Sequence, residues 1–199
     1  AECDQTFRDF IDRLPSDGTL VYNRDCQRSS AIAATCGRRT MSFSLYEDSD
    51  WNAISCERLP LHQNIEHLSN GQTFRLRQHT RDVGLVKLQV PGLHNRQNAV
   101  AAIAAAVATG VSVASAIRGV EAFSGIERRF EHRGRLFGID WIDDYAHHPT
   151  AVRTTLETAR SAFQNRRLIA VFEPHQISRL SALFEDFRSA LSLADECLI

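Results

Sequence analysis

The sequence predicts an α/β chain, and three observations carry that reading. From Leu136 onward, apolar strand-like runs alternate with amphipathic helical runs, a pattern that predicts a parallel sheet with right-handed crossovers. Between Thr40 and Val90 the texture shifts to short clusters of β-formers, which predicts a small, mainly antiparallel layer. Between these regions, "NAVAAIAAAVATG" is alanine-rich and closed by Gly110, a strong helix signal.

Taken in order, Phe7, Phe10, Ile11 and Leu14 recur at helical spacing, and "PSDG" stops that helix. "TLVYN" reads as a short buried strand, followed by a helix around "CQRSSAIAAT". "TMSFSLY", "WNAISCERL", "TFRLRQ" and "GLVKLQV" supply the β layer, with a turn at "SNGQ". After Pro91-Gly92 come the alanine helix and then "VASAIRGVEAF", for which Ser112 is an N-cap. "SGIERRFEHRG" is polar and glycine-flanked, so a domain boundary is expected there, dividing residues 1–126 from 127–199. Beyond it the pattern gives "LFGIDWIDDY" (strand), "TAVRTTLETARSAF" (helix), "RRLIAVFE" (strand), "LSALFEDFRSAL" (helix) and "DECLI" (strand).

Composition narrows the function classes. A formal net charge of −1 offers no electrostatic footprint for nucleic acid or an anionic membrane. No apolar run reaches the length of a membrane span. Five cysteines without a CxxC pair argue against a disulfide framework or a zinc site and fit a reducing cytoplasm. Lys87 is the single lysine among the basic residues, so anion sites here are arginine sites. The chain starts without methionine inside a helix and stops just after a strand, so a fragment is expected.

Four stretches concentrate chemistry. "DDYAHHPT" gathers Asp144, Tyr145, His147 and His148 between a strand and a helix, at what reads as the carboxyl end of a parallel strand, where open α/β sheets bind ligands. It is either such a site or a helix-start turn with Asp144 as cap. "HNRQNA" places His94, Asn95 and Asn98 at the mouth of the alanine helix. Asparagines there can read an adenine edge or simply cap the helix. "ERRFE" puts Arg128 and Arg129 at the proposed boundary, suited to phosphate or else solvated. "FEPHQISR" sets His175 and Arg179 after another strand. His62, His67, His79 and His132 lie in polar segments and read as surface residues.

In this order and spacing, HN-x-x-NA-x-AA from His94, F-x-G-x-x-RRFE from Phe123, DDYAHHPT from Asp143 and F-x-PH-x-x-SR from Phe172 resemble the Mur ligases. Within them the likeness is to the branch that joins L-alanine to UDP-N-acetylmuramic acid. It implies the later part of a central ATP-binding domain with a small antiparallel layer, then the first half of a Rossmann-like parallel-sheet domain. It also implies an ATP-dependent C–N ligase of peptidoglycan synthesis, acting through an acyl phosphate in cell wall biogenesis. By resemblance, His94, Asn95 and Asn98 face adenine, and Asp144 holds the ribose. Arg128, His147 and His148 are catalytic, while Tyr145, His148, His175 and Arg179 contact the sugar acid and the alanine. The family's G-x-x-G-K-T/S loop does not occur in these residues, and its Mg2+ ligands are expected upstream, with no metal ligand in this chain. Close members carry F-Q-P-H-R-Y-S-R where this chain has Glu173, Gln176 and Ile177, leaving Arg179 more alone with the amino acid's carboxylate. Two other readings fit less of the pattern: a recycling ligase that attaches a ready-made peptide to the same nucleotide sugar, and a non-catalytic nucleotide-binding relic.

Overall fold

The computed structural model describes residues 2–55 and 71–199. Part of the expected "SNGQ" turn, the end of the "WNAISCERL" run, Cys56, His62 and His67 lie outside the described residues. The chain forms two compact units, one of residues 2–55, 71–89 and 95–123, the other of residues 90–94 and 124–199.

In the first unit the elements are α1 (Glu2–Ile11), β1 (Thr19–Asn23), α2 (Gln27–Ala33), β2 (Arg39–Ser44), β3 (Trp51–Ser55), β4 (Gln72–Gln78), β5 (Arg81–Leu88), α3 (Leu93–Ala108) from Asn95 onward, and α4 (Val113–Glu121). The five strands form one sheet in sequence order. β1, β2 and β3 run parallel, whereas β3, β4 and β5 are antiparallel. The expected antiparallel layer is therefore one half of a mixed sheet. Strand alternation decides the core: Phe74 and Leu76 are buried while Arg75 and Arg77 point out, and Phe74 stands opposite buried Val86. Ala99, Val100, Ile103 and Ala104 line the buried face of α3, the small Ala99 and Ala104 alternating with the larger Val100 and Ile103. Ser112 caps α4 as expected, its hydroxyl accepting from the Ser115 N–H. The apolar face read into α1 is only partly used, since Ile11 is buried but Phe7 and Phe10 remain 55% and 69% exposed.

The second unit comprises β6 (Glu131–Leu136), β7 (Ile139–Asp143), α5 (Pro149–Ala162), β8 (Ile169–Val171), α6 (Ile177–Ala182), α7 (Phe184–Leu191) and β9 (Glu196–Leu198). Val152, Leu156, Phe187, Ala190 and Leu191 form its core, with Phe172 and Leu180 against it. β8 and β9 pair in parallel, as the strand–helix alternation requires. Two expectations change. The run from Leu136 to Tyr145 is not one strand, because Phe137 and Gly138 both take positive φ (50° and 77°) and turn the chain. The result is the antiparallel hairpin β6–β7, with Leu136 opposite Ile139. "DDYAHHPT" thus follows a hairpin strand, not a strand of the parallel pair. The last helix is likewise divided at Leu183, whose backbone (φ −122°, ψ 27°) leaves the helical region.

Among the described residues no helix is long and apolar enough to cross a membrane. Cys3, Cys26, Cys36 and Cys197 are free thiols.

Candidate functional site

The loop entering β6 is held in an unusual backbone state. Arg128 and Phe130 both adopt left-handed φ (56° and 47°), which is costly for side chains with a Cβ. Three bonds offset that cost. The Arg128 N–H donates to Glu131 Oε2 at 2.8 Å, the Phe130 N–H to Asp144 Oδ2 at 2.8 Å, and the Tyr145 N–H to the Arg128 carbonyl at 2.9 Å. The Arg128 guanidinium consequently lies 4.8 Å from the Tyr145 ring centroid.

From Tyr145 the series continues. Its ring meets the His147 imidazole at 4.7 Å between centroids. His147 Nδ1 lies 2.8 Å from the Tyr145 carbonyl oxygen. A carbonyl has no proton to give, so Nδ1 is the donor and Nε2 of the neutral ring keeps its lone pair. Arg179 Nη1 then donates to the His147 carbonyl at 3.2 Å. One bonded series thereby joins Arg128, Tyr145, His147 and Arg179, with Asp144 bracing its first turn.

The remaining predicted residues divide. Asp144 does not cap α5; that position belongs to His148, whose Nδ1 accepts from the Thr150 N–H at 3.4 Å, with Pro149 following. His175 is exposed between β8 and α6, and no hydrogen bond among the described residues joins it to Arg179. His94 belongs to the same unit as Asp144. Its Nδ1 is buried and has no hydrogen-bond partner. Gly92 (φ 98°) makes room for that ring, since a Cβ there would sit 2.6 Å from His94 Cε1. Burial pushes the His94 imidazole below its ordinary pKa; nearby Asp144 pulls the other way and Arg129 adds to the lowering. Asn95 and Asn98 belong to the first unit, on the opening turns of α3, with Asn98 exposed.

Sequence reasoning missed two groups. Asp140, whose side chain is 6% exposed, pairs with Arg166 at 2.7 Å and with His132 at 3.2 Å, so His132, exposed as expected, is also tied to a buried carboxylate. Asp25, just past β1, collects bonds from Ser44, Leu45, Tyr46, Glu47 and Gln97. The available signal for Asp25 was its place at the carboxyl edge of a parallel strand, β1, which is half-buried and not buried as its sequence suggested. A cleft of about 520 Å³ lined by Arg81, Val113, Ile117 and Arg118 contains none of the predicted residues. Among the described residues no cluster of three or more His, Cys, Asp or Glu side chains could hold a metal ion.

Fold and site together define a mixed α/β protein whose cationic and imidazole side chains gather at a strand-to-helix turn. The chain belongs to the Mur ligase family: the Mur ligase middle domain matches residues 2–106, and the "Mur ligase, glutamate ligase domain" matches residues 128–199. It is similar to the UDP-N-acetylmuramate–L-alanine ligase of Caldanaerobacter subterraneus, with 34% identity over 98% of this chain and 40% of that one. It is also similar to the ligase of the same name from Desulfosudis oleivorans, with 31% identity over 100% of this chain and 42% of that one. The chain thus spans about two-fifths of the length of these relatives. Among solved structures, a murein peptide ligase from Psychrobacter arcticus superposes with a TM-score of 0.63 at 27% identity, covering 98% of this chain and 46% of that one. The UDP-N-acetylmuramate-alanine ligase of Thermotoga maritima shares the fold with a TM-score of 0.67 at 24% identity, over 96% of this chain and 46% of that one.

Proposed function

We propose that these residues are part of an ATP-dependent ligase that joins L-alanine to UDP-N-acetylmuramic acid in cytoplasmic peptidoglycan synthesis. In this reading residues 1–126 are the later part of its ATP-binding domain and residues 127–199 the first half of its C-terminal domain. The supporting observation is the series Arg128–Tyr145–His147–Arg179, in which two cations flank two proton-handling groups.

Carboxylate and amine do not condense in neutral water, because the carboxylate has no adequate leaving group. Transfer of the ATP γ-phosphoryl to the substrate carboxylate supplies one. The alanine amine attacks the resulting carbonyl carbon, the C–N bond forms, and phosphate departs with the C–O bonding pair. Arg128, presented to solvent over Tyr145, offers charge-assisted donors to the transferring phosphoryl group. His147 Nε2, its lone pair fixed by the Nδ1 bond, takes the proton that the attacking amine must lose. His148, with Nδ1 used by the cap, directs Nε2–H as a donor to the developing oxyanion. Arg179 commits one N–H to the His147 carbonyl and keeps four for the alanine carboxylate, and His175 and Tyr145 serve as further substrate contacts. Asp144 uses Oδ2 on Phe130 and leaves Oδ1 for a ribose hydroxyl. His94, Asn95 and Asn98 face adenine. The Mg2+ such a reaction uses has no cluster of ligands among the described residues, and none of these steps is assigned to it.

The test is phosphate release by the gene product supplied with ATP and UDP-N-acetylmuramic acid. Release that depends on free L-alanine supports the assignment. Release with tripeptide but not with L-alanine replaces it by the recycling ligase, and nucleotide binding without any release replaces it by the relic.

A further inference from the structure

The turn end of the β4–β5 hairpin and the first half of α4 enclose a cleft that the ligase reading does not use. Leu76 pairs with Gly84 and Arg77 with Asp82, so Val83 is an extra residue that the ladder skips, and Gly84 beside it takes φ 130°. A bulge of this kind re-aims the side chains around it. Here Arg81 and Val83 come to line the cleft. On the helix side, Val113 and Ile117 stand one turn apart on α4, followed by Arg118. The other end of α4 is fixed to β5 and the residue after it. Glu121 Oε1 accepts the Lys87 N–H at 3.0 Å, and Gln89 Nε2 donates to the Glu121 carbonyl at 2.7 Å. One wall is therefore set by a strand bulge and the other by a helix anchored at its far end.

The charges of this cleft are not balanced. Arg75 Nη1 donates to Asp82 Oδ2 at 2.5 Å and the Gly84 N–H to Asp82 Oδ1 at 2.9 Å, so both oxygens of the lining carboxylate are engaged by groups that do not line it. Arg118 gives one N–H to Ser115 Oγ at 2.9 Å, and among the described residues neither Arg118 nor Arg81 has an ion-pair partner. Both arginines are exposed, whereas Val83, Val113 and Ile117 are half-buried. Guanidinium forks hold a carboxylate or phosphate through paired, charge-assisted bonds. The valine and isoleucine methyls offer an apolar body a surface away from water. At about 520 Å³ the space has the size of a small-molecule site. We propose that this cleft binds a small amphipathic anion, its carboxylate or phosphate head on Arg81 and Arg118 and its apolar body on Val83, Val113 and Ile117. The proposal does not rest on the ligase reading, whose residues are not among those lining the cleft.

NMR of the methyl-labelled gene product with 4-phenylbutyrate and with phenyl phosphate tests it. In the wild type, intermolecular NOEs run from the phenyl protons to the methyls of Val83, Val113 and Ile117. The uncharged 4-phenylbutanol binds at least tenfold more weakly than 4-phenylbutyrate. Arg81→Gln and Arg118→Gln, exposed changes that leave the melting temperature unaltered, each weaken the anions about tenfold. Arg118→Lys, which keeps the charge and loses the fork, recovers part of that loss. Whichever of the two anions binds more tightly identifies the head as carboxylate or phosphate. Absence of NOEs to the three methyls in the wild type, or equal binding of 4-phenylbutanol, overturns the proposal. Neither result touches the ligase reading, which stands or falls on alanine-dependent phosphate release.

Discussion

Arg128 and Tyr145 hold each other twice: the Tyr145 N–H donates to the Arg128 carbonyl at 2.9 Å, and the Arg128 guanidinium covers the Tyr145 ring at 4.8 Å. The backbone bond sets the register of the two segments, and the ring contact aims the cation. A double-mutant cycle of Arg128→Ala and Tyr145→Leu, read by urea unfolding, should show a coupling of about 0.5–1 kcal/mol, since the contact is solvent-exposed. Additive losses would mean that the ring does not aim the arginine.

Asp144 acts before any ligand arrives. It accepts the Phe130 N–H in a loop whose left-handed backbone needs that bond. Asp144→Ala should therefore lower the unfolding free energy by about 1–3 kcal/mol even without nucleotide, in addition to raising the KM for ATP in the proposed ligase reaction. A variant as stable as wild type would assign Asp144 to ligand binding alone.

Gly92 is the one glycine whose replacement meets a candidate site residue. Its φ of 98° disfavours any side chain, and an added Cβ would lie 2.6 Å from His94 Cε1 and 2.9 Å from Thr158 Oγ1. Gly92→Ala should cost about 1–2 kcal/mol from the backbone alone, with more from displacing the imidazole. A melting temperature equal to wild type would contradict this packing.

His94 predicts a pH dependence. Burial, opposed by Asp144 and assisted by Arg129, holds its folded pKa below the ordinary 6.5. As pH falls through that value the unfolded chain takes up a proton that the folded chain does not, so stability declines until the folded pKa is passed; above 6.5 the contribution is level. His94→Asn should flatten the melting-temperature profile over this window relative to wild type. Parallel profiles would remove His94 as the source.

Arg179 is tied to His147 through a backbone carbonyl, not through the imidazole. In the proposed ligase reaction Arg179→Ala should raise the KM for L-alanine at least tenfold, the order of one lost charge-assisted pair, and change the KM for ATP little. An unchanged alanine dependence would refute the carboxylate role.

Much of this protein was legible because local patterns report local structure. Alternation at Phe74 and Leu76, the alanine helix and the Ser112 cap are decided within a few residues, by strand pleat, helix period and one hydroxyl. Motif order also identified Arg128, Tyr145, His147 and Arg179 as candidates, and the structure joins them in a single series. Other features were hidden. Phe137 gives no glycine-like signal for a turn, yet pairing of β6 with β7 holds it at positive φ. The Asp25–Gln97 bond spans 72 positions, and Asp140 meets Arg166 across 26.

The sequence by itself determined most of the elements, their order and the chemical groups available, because propensity and periodicity act over one or two turns, while the turn at Phe137 and the break at Leu183 escaped it. Tertiary structure alone decided which of those groups meet. Left-handed loop residues, the amide-bonded Asp25 carboxylate and a buried imidazole persist only where distant segments supply hydrogen bonds and exclude water, and no short-range pattern encodes such partners.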